Sequence, residues 1–447
     1  MMPTVKPDFG TAHGLSEPFA LLSSQARAIR ECGGSASIDP YAVTFLLRAT
    51  GRLPQARVRA AAHALQERHD ALRSRLVGPE HDIRQVVIAA GREAPPVDVV
   101  HIPLAAGSAV EDEIAKLCSS AVNELSVRNG PTWRVIQVSS STDDYLLFLV
   151  SHLFVDNASM VLLLREFQSF YHAADASSWR PSRTPSRLLQ LHAHTMARPC
   201  PVLPAELPWW RSRPWQDITL RSAFGDTASN HPDLETHRTV DGDRWKAATS
   251  ALAADGITPE HIVLSTIAAA VARQEGRATV RLDVCGHGRY QDHHGHDVRR
   301  LAGWMATVTP YLLEVPDSGM DDPGPLLEKI ATQIEEAKAH SRHWDCVRPS
   351  LPEQMAESPG TFVNFTGDTS WRKLVRAPFA LAGRQPAQGS PPVRRTGTHT
   401  LRVQVSMSAD LDFRWRSRIA AAERLRLEQV ADDTAELLHR TLGGKAV

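Results

Sequence analysis

The feature that most constrains the fold is a continuous apolar run, Asp144–Val150, with the sequence DYLLFLV. A strand that is buried on both faces carries apolar residues without alternation, as central strands of α/β sheets do. After this run, apolar residues recur at the spacing of one helical face; they are Met160, Leu163, Leu164, Phe167, Phe170 and Tyr171. The chain is therefore predicted to contain a buried strand followed by an amphipathic helix, which is typical of an α/β fold.

Two lobes of this kind are expected, because 447 residues exceed the usual size of one hydrophobic core. The first lobe is predicted over residues 1–178, a proline-rich crossover over 179–215 and the second lobe over 216–447. In the first lobe the spacing predicts helices over 53–76 and 109–125 and strands over 83–88, 97–102 and 133–138. In the second lobe it predicts a helix over 259–274 capped by Thr258, a strand over 280–284, a hairpin of 401–407 with 411–415, and a closing helix over 419–442.

The charge balance favours no particular class of macromolecular partner. Fifty basic residues match fifty acidic ones, so no bulk field predicts binding to nucleic acid or to an anionic membrane. The five cysteines are scattered and form no CxxC pair, which indicates neither a disulfide framework nor a zinc knuckle. The N-terminus lacks the pattern of a secretory signal, and no apolar run reaches the ~20 residues that span a bilayer. A cytoplasmic location is expected.

The stretch after the apolar run carries the candidate site, with the sequence SHLFVDN from Ser151 to Asn157. His152 stands at the predicted end of the strand, where a rigid backbone can aim its ring into a cleft. A neutral imidazole accepts a proton near neutral pH, since its unperturbed pKa is about 6.5. Asp156 can cap the next helix or pair with an arginine, and Asn157 tolerates a left-handed turn. By itself HxxxD is a weak pattern, because a lone histidine beside a strand is more often structural than catalytic.

This stretch resembles the HHxxxDG motif of nonribosomal peptide synthetase condensation domains, within the wider chloramphenicol acetyltransferase-like superfamily. Further pieces resemble segments of the family and follow in the family's order: LLSSQARAIR (21–30), TGRLPQARVRAAAHALQERHDALRSRL (50–76), GPTWRV (130–135), CGHGRY (285–290), LAGWMATVTPYLLEV (301–315) and FVNF (362–365). The second piece is similar to the family's first helix with its HxxLR ending. The chain as a whole resembles a free-standing condensation domain.

The resemblance implies two chloramphenicol-acetyltransferase-like lobes, each a mixed sheet with helices, forming a V with a central tunnel. Substrates would arrive on the phosphopantetheine arms of acyl or peptidyl carrier proteins, and the chain itself would bind no cofactor. His152 matches the catalytic histidine of the family. Asp156 matches the structural aspartate that pairs with a second-lobe arginine, here Arg289. The segments that line the channel would contribute Trp304, Thr307 and Asn364.

Several positions depart from the family pattern. Ser151 replaces the first histidine of the motif, Asn157 replaces the glycine, and Thr307 stands where asparagine is usual. The change at Thr307 indicates an atypical substrate, and Asn157 would either narrow the donor side of the channel or mark a protein that binds carriers without catalysis. Three functions stay open. They are an enzyme that forms an amide, less often an ester, from a carrier-bound acyl or aminoacyl thioester; an acyltransferase that uses acyl-CoA or a free small-molecule acceptor; and a non-catalytic protein that recruits another enzyme to a carrier. Because no adenylation or carrier segment is recognisable, carriers acting in trans are expected, in natural-product or antibiotic biosynthesis.

Other chemical signals are weaker. The stretch GHGRYQDHHGHD (286–297) includes His287, His293, His294 and His296. Its spacing matches no zinc pattern, so no metal is expected. Cys285 and His287 would face the same way on a strand, as a nucleophile and its base would. Cys285 is more simply interpreted as a small buried residue. No hydrolase elbow or nucleotide-binding glycine loop is present. Two arginine-rich segments, Arg180–Arg187 and Arg211–Arg221, are candidates for docking an acidic carrier helix.

Overall fold

The structure, a computed structural model, describes residues 15–90, 99–105, 109–173, 188–198, 200–218, 234–290, 297–316, 323–356, 360–368, 375–383, 385, 399–407, 409–417, 419 and 423–443. Its helices are α1 (Ser23–Glu31), α2 (Gln55–Arg68), α3 (Val110–Val122), α4 (Asn157–Ala173), α5 (Leu188–Met196), α6 (Leu203–Arg211), α7 (Gly242–Leu252), α8 (Pro259–Glu275), α9 (Pro323–Ser341), α10 (Trp344–Val347), α11 (Glu353–Ala356) and α12 (Arg424–Thr441). Its strands are β1 (Ala42–Ala49), β2 (Ser74–Val77), β3 (Arg84–Val87), β4 (Val99–Pro103), β5 (Trp133–Ser139), β6 (Asp144–Ser151), β7 (Leu234–Val240), β8 (Thr279–Gly286), β9 (Thr307–Glu314), β10 (Gly360–Asp368), β11 (Phe379–Leu381), β12 (His399–Met407) and β13 (Leu411–Ser417). Among the described residues, no helix is both long and apolar enough to cross a bilayer.

The chain divides into two compact units, each built from more than one stretch of sequence. The first unit comprises Met1–Arg198, Gln291–Met305 and Leu374–Val393, and the second unit comprises Pro199–Tyr290, Ala306–Lys373 and Arg394–Val447. This division differs from the contiguous lobes predicted from the sequence, because two segments from within 216–447 pack in the first unit. Hydrogen bonds between segments distant in sequence hold them there, and no local pattern announces such bonds.

In the first unit, β6 is the middle strand of a five-stranded sheet with the order β11-β1-β6-β5-β4. Strands β1 and β5 both pair with β6 in antiparallel fashion. Leu146, Phe148 and Val150 face a core shared with α2 and α4, whereas Leu147 and Leu149 face a core shared with α3. Alternate residues of a strand point to opposite faces, so the prediction of a strand buried on both sides is confirmed.

The segment after α2 differs from the helix predicted over 53–76. The helix ends at Arg68, and His69 has an extended backbone with φ −110 and ψ 112. A short 3-10 turn, Asp70–Arg73, then leads into β2. The break coincides with buried polar contacts: the ring of His69 bonds to the Glu166 carboxylate at 2.9 Å, and Arg73 Nη2 donates to Asp70 Oδ1 at 2.6 Å. Such contacts satisfy polar groups that would be costly to bury unpaired, and they take precedence over helical propensity.

In the second unit, a six-stranded sheet has the order β7-β13-β12-β10-β8-β9. The predicted hairpin is confirmed as β12 and β13, which pair from Leu401↔Ser417 to Met407↔Leu411. The predicted helix start is also confirmed, because the Thr258 side chain accepts a hydrogen bond from the backbone N–H of His261 at 3.2 Å. Helices α8, α9 and α12 pack together on one face of this sheet and bury its principal core.

The opposite face of the second sheet meets a tryptophan cluster. Leu313 points into the principal core, and its neighbour Leu312 points the other way, onto a cluster with Trp210, Trp215 and Trp344. The stretch predicted as a proline-rich crossover over 179–215 therefore contributes α6 to this cluster, and its helix α5 packs separately, in the first unit, against Leu301 and Met305. Aromatic residues of this size provide large buried area to a small element.

Candidate active site

His152 follows the last residue of β6, and its backbone is fixed from two sides. Ser151 pairs with Ala42 of β1, and its N–H donates to the carbonyl of Thr132 at 2.8 Å. The N–H of His152 donates to the carbonyl of Tyr41, also at 2.8 Å. A residue held this way at the end of a central strand presents its side chain from a rigid base, as the sequence predicted.

Two aromatic rings of the first unit lie against the imidazole of His152. The ring of Tyr41 stacks on it with centroids 4.3 Å apart and an interplanar angle of 11°. The indole of Trp304 lies 4.4 Å from it, tilted by 49°. The ring centroids of Tyr41 and Trp304 are 5.8 Å apart. His152 itself is half-buried. We call Tyr41 and Trp304 the aromatic bracket of His152.

The loop between His152 and α4 is held by a glutamine from the start of the chain. The Gln25 side-chain amide donates to the carbonyl of Leu153 at 2.9 Å and to Gln85 Oε1 at 2.8 Å. Its oxygen accepts from the backbone N–H of Leu22 at 2.9 Å, at the beginning of α1. Gln25 is 1% exposed, so this polar side chain is buried because its hydrogen bonds are made. Gln25 lies in the segment LLSSQARAIR (21–30), whose local pattern assigns this residue no role.

Asp156 caps α4 and also binds a distant segment. Its Oδ1 accepts from the N–H of Ser159 at 2.8 Å and from the Ser159 hydroxyl at 2.9 Å, which is the geometry of an N-cap. Its Oδ2 accepts from the N–H of Met305 at 3.1 Å. Asn157 begins the helix and is exposed. No residue other than glycine has a positive φ in the described part of the chain, so Asn157 adopts no left-handed turn and is instead the first residue of the capped helix.

The segment 297–305 lies along α4 and is anchored at several points. Ser159 Oγ accepts from the Gly303 N–H at 3.0 Å and lies 2.8 Å from the Gly303 carbonyl oxygen, which shares the single hydroxyl proton with Asp156 Oδ1. About two turns further along the same face of α4, Arg300 Nη2 donates to Glu166 Oε1 at 3.1 Å. With the Met305–Asp156 contact, these bonds bring Trp304 to the end of β6.

Glu166 is the centre of a charged cluster that ties α2 to α4. Its carboxylate meets His69 at 2.9 Å, forms an ion pair with Arg68, and accepts from Arg300. Burial by itself raises the pKa of this carboxyl, but the His69 hydrogen bond and the charges of His69 and Arg68 outweigh burial and hold the pKa at about 2. The histidine of the segment that resembles an HxxLR ending therefore has a structural role.

We expect the Glu166 cluster to make stability fall at acid pH. The folded-state pKa of Glu166, about 2, lies below the ordinary value of 4.5. The ionised carboxylate therefore contributes fully to the free energy of unfolding above about pH 4.5, and this contribution is lost as the pH falls toward 2. Wild type should exceed Glu166→Gln in free energy of unfolding, and the difference should shrink by about 1 kcal/mol between about pH 5.5 and about pH 3.5. Urea unfolding at the two pH values measures this. An unchanged difference would show that Glu166 does not titrate as described.

The other predicted site residues belong to the second unit. Arg289 bonds within its own loop: its N–H donates to His287 Nδ1 at 2.9 Å and its guanidinium to the His287 carbonyl at 3.0 Å. Thr307 begins β9 and pairs with Gly286, and Asn364 is a half-buried residue of β10. Because Asp156 and Arg289 fall in different units, their ion pair stays a prediction.

Several weaker sequence signals fall partly outside the described residues. His293, His294, His296 and the Arg180–Arg187 segment lie there entirely, as do the last positions of Arg211–Arg221. Arg213, which is described, lies over the Trp209 ring at 4.4 Å. Within the described ranges, no group of three or more histidine, cysteine or acidic side chains is arranged to hold a metal ion. Cys285 is half-buried rather than fully buried, opposite Val308.

The chain has two α/β units, with a histidine at the end of a central strand and a capped helix after it. Comparison with known proteins identifies the family. The family model described as "Condensation domain" matches residues 34–343, and the chain belongs to this family. The resemblance inferred from the sequence motifs is thereby confirmed. The family includes condensation domains of nonribosomal peptide synthesis, and some homologues, such as the X-domain, are non-catalytic.

Among curated proteins, the chain is similar to chondramide synthase cmdD of Chondromyces crocatus, with 26% identity over 421 residues. That match covers 90% of this chain and 10% of the synthase. A linear gramicidin synthase of Brevibacillus parabrevis is 23% identical over 383 residues, which are 79% of this chain and 7% of that protein. The chain thus spans a tenth or less of the length of these relatives.

Solved structures share the fold at low sequence identity. The epimerization domain from the third module of tyrocidine synthetase B matches with a TM-score of 0.77 and 17% identity, over 96% of each chain. The first condensation domain of the calcium-dependent antibiotic synthetase, in complex with substrate analogue 2a, matches with a TM-score of 0.73 and 16% identity, over 97% of this chain and 99% of that one. The X-domain from teicoplanin biosynthesis matches at 0.70 and 14%, over 97% and 98%. The predicted fold class, two α/β lobes each with a sheet and helices, is confirmed.

Proposed function

We propose that the chain joins an acyl or aminoacyl group, held as a thioester on a carrier protein, to an amine, with His152 at the reacting atoms. The observation that supports this most is the position of the His152 ring. It follows a central strand, its backbone is bonded to Tyr41, and its ring is half-buried between two aromatic side chains. Such a ring is held in one orientation while an edge stays reachable, which a group that handles a proton in catalysis requires.

In the proposed reaction, the amine nitrogen attacks the thioester carbonyl and forms a C–N bond. The tetrahedral intermediate then collapses, the C–S bond breaks, and the thiolate of the phosphopantetheine arm takes up a proton. His152 either accepts the proton of the attacking amine or orients that amine and steadies the intermediate. Both roles place the ring within hydrogen-bond distance of the nucleophile. Holding two reactants in near-attack geometry supplies much of the remaining acceleration.

The acceptor chemistry distinguishes this proposal from its rivals. A hydroxyl acceptor would give an ester by the same steps, and an acyltransferase on this fold could take acyl-CoA or a free acceptor. The family membership favours the carrier-bound thioester as donor. Another solved structure with this fold favours a different role, because it is a complex of the X-domain with a second protein, OxyB, from teicoplanin biosynthesis. A role in recruiting another enzyme is therefore an outcome that the test must be able to detect.

We expect the chain to prefer a carrier-bound donor over a free one. The same acyl group is offered on a carrier, on CoA and on a short pantetheine thioester, each with a panel of amines and alcohols, and products are identified by mass spectrometry. Docking contributes binding that the small donors lack, so kcat/KM should be at least about tenfold higher for the carrier. The control is the same carrier with a reversed-charge variant of its exposed acidic helix, which tests docking through local charge.

Each other result selects a different function. Equal rates for the three donors would contradict carrier recognition and leave a small-molecule acyltransferase. Carrier binding without any product, over the whole acceptor panel, would contradict catalysis and favour recruitment. Docking encounters of this kind are small and weak, so binding is measured at high micromolar carrier concentration by NMR shifts of the carrier.

A further inference from the structure

We propose that Trp304 is a positioning residue for His152, held in place by the first turn of α4. The inference rests on the proposed catalytic role of His152 and adds to it the residue that sets the orientation of its ring. All groups involved belong to the first unit. The family resemblance predicts that Trp304 lines the substrate channel, and its side chain is 8% exposed.

The aromatic bracket limits how the imidazole can turn. Tyr41 stacks nearly parallel on one side at 4.3 Å, and Trp304 contacts the ring at 4.4 Å with a tilt of 49°. Rotation of the imidazole about its last side-chain bond would drive ring atoms into one or both neighbours. Packing contacts of this kind lock a functional side chain in a single rotamer.

The two sides of the bracket are attached differently. Tyr41 directly precedes β1, and its carbonyl accepts the N–H of His152, so it shares one rigid sheet with the histidine. Trp304 comes from a segment far along the chain, and its position depends on side chains. Trp304 is therefore the side of the bracket that a single substitution can remove without disturbing the sheet.

Hydrogen bonds on both flanks of Trp304 come from α4. The Gly303 carbonyl and N–H both bond to the Ser159 hydroxyl, at 2.8 and 3.0 Å, and Met305 N–H donates to Asp156 at 3.1 Å. Space here is tight: a Cβ at Gly303 would lie 3.3 Å from Met305 Sδ and 3.4 Å from Leu189 Cδ1. The first turn of α4 thus holds the backbone on either side of the indole.

The test compares Trp304→Leu with Trp304→Phe, which keeps an aromatic ring. Trp304→Leu should lower kcat by about tenfold or more, because small misplacements of a catalytic group are costly, while KM for the carrier-bound donor changes less than about threefold. Trp304→Phe should recover at least about a third of the wild-type kcat. The matched control is Trp209→Leu, which removes a tryptophan stacked on a different histidine, His340, at 3.9 Å in the second unit; its kcat should stay at the wild-type value.

A second readout does not depend on activity. With 13C-labelled histidine, the His152 ring signals are assigned by their loss in His152→Ala. Replacing the indole removes its ring current, so the His152 signals should shift in both Trp304 variants and stay unshifted in Trp209→Leu. If Trp304→Leu does not fold, Trp304→Phe carries this measurement. Unshifted His152 signals in a folded Trp304 variant would overturn the bracket itself.

The kinetic outcome separates this inference from the proposed function. If His152→Ala abolishes activity and Trp304→Leu keeps wild-type kcat, the positioning role is overturned and the proposed function stands. If His152→Ala keeps wild-type activity, the proposed function is overturned, and the positioning role falls with it. A KM increase for Trp304→Leu with kcat unchanged would also overturn positioning, since it would make Trp304 a substrate contact.

Discussion

His152→Ala is expected to lower product formation by about a hundredfold or more, because removal of a positioned proton-transfer group costs about 10²–10⁴-fold in rate. The fold and carrier binding should be unchanged. The His152 side chain is half-buried, and the backbone bonds that hold its loop, from His152 N–H to Tyr41 and from Leu153 to Gln25, do not involve the imidazole. Single-turnover assays with loaded carrier measure the loss directly.

The design needs a histidine control and a stability control. His63 is an exposed residue of α2, so His63→Ala should leave the rate unaltered. Thermal unfolding of both variants shows whether the fold is intact. A His152→Ala protein that forms product at the wild-type rate would contradict the catalytic role and would favour recruitment of another enzyme.

Asp156→Ala is expected to lower the free energy of unfolding by about 3–5 kcal/mol and to reduce activity as well. Removal of the carboxylate leaves the N–H groups of Ser159 and Met305 without their acceptor, and unsatisfied buried donors cost about 1–3 kcal/mol each. If the predicted pair with Arg289 is present, an unpaired charge adds to the loss. Urea unfolding measures the total.

Asp156→Asn separates the cap from the ion pair. Asparagine keeps an oxygen that can cap α4 but loses both the negative charge and the second oxygen, which accepts from the Met305 N–H. If the cap dominates, Asn should restore most of the stability that Ala loses. If the pair with Arg289 dominates, Asn should resemble Ala, and a double-mutant cycle of Asp156→Asn with Arg289→Ala should show coupling. Unaltered stability in Asp156→Ala would contradict both contributions.

Much of the fold was predictable because its signals are local. The apolar run over Asp144–Val150 became β6, buried on both faces, and the helical stripe after it became α4. Thr258 caps α8 as expected, and the alternation after residue 400 became the hairpin of β12 and β13. Periodicity and caps depend on residues within one turn or one strand of each other, which is the range over which a sequence pattern is informative.

Prediction was poorer where buried polar contacts override propensity. The helix predicted to continue to residue 76 ends at Arg68, where His69 turns toward Glu166. A helical apolar spacing gives no hint of a carboxylate that lies 97 residues away in sequence. The same reason explains why Gln25 had no assigned role, since its bond to Leu153 spans 128 positions.

For the candidate site, the sequence by itself determined the place of His152, at the end of a buried strand and before a helix that begins with its own cap. Those features arise from the apolar run and from Asp156, all within a few residues of each other. Only the tertiary structure decided what surrounds the ring. Trp304 reaches it through bonds from Gly303 and Met305 to α4 that span 144 and 149 positions, and contacts across such separations depend on how whole elements pack rather than on any local pattern.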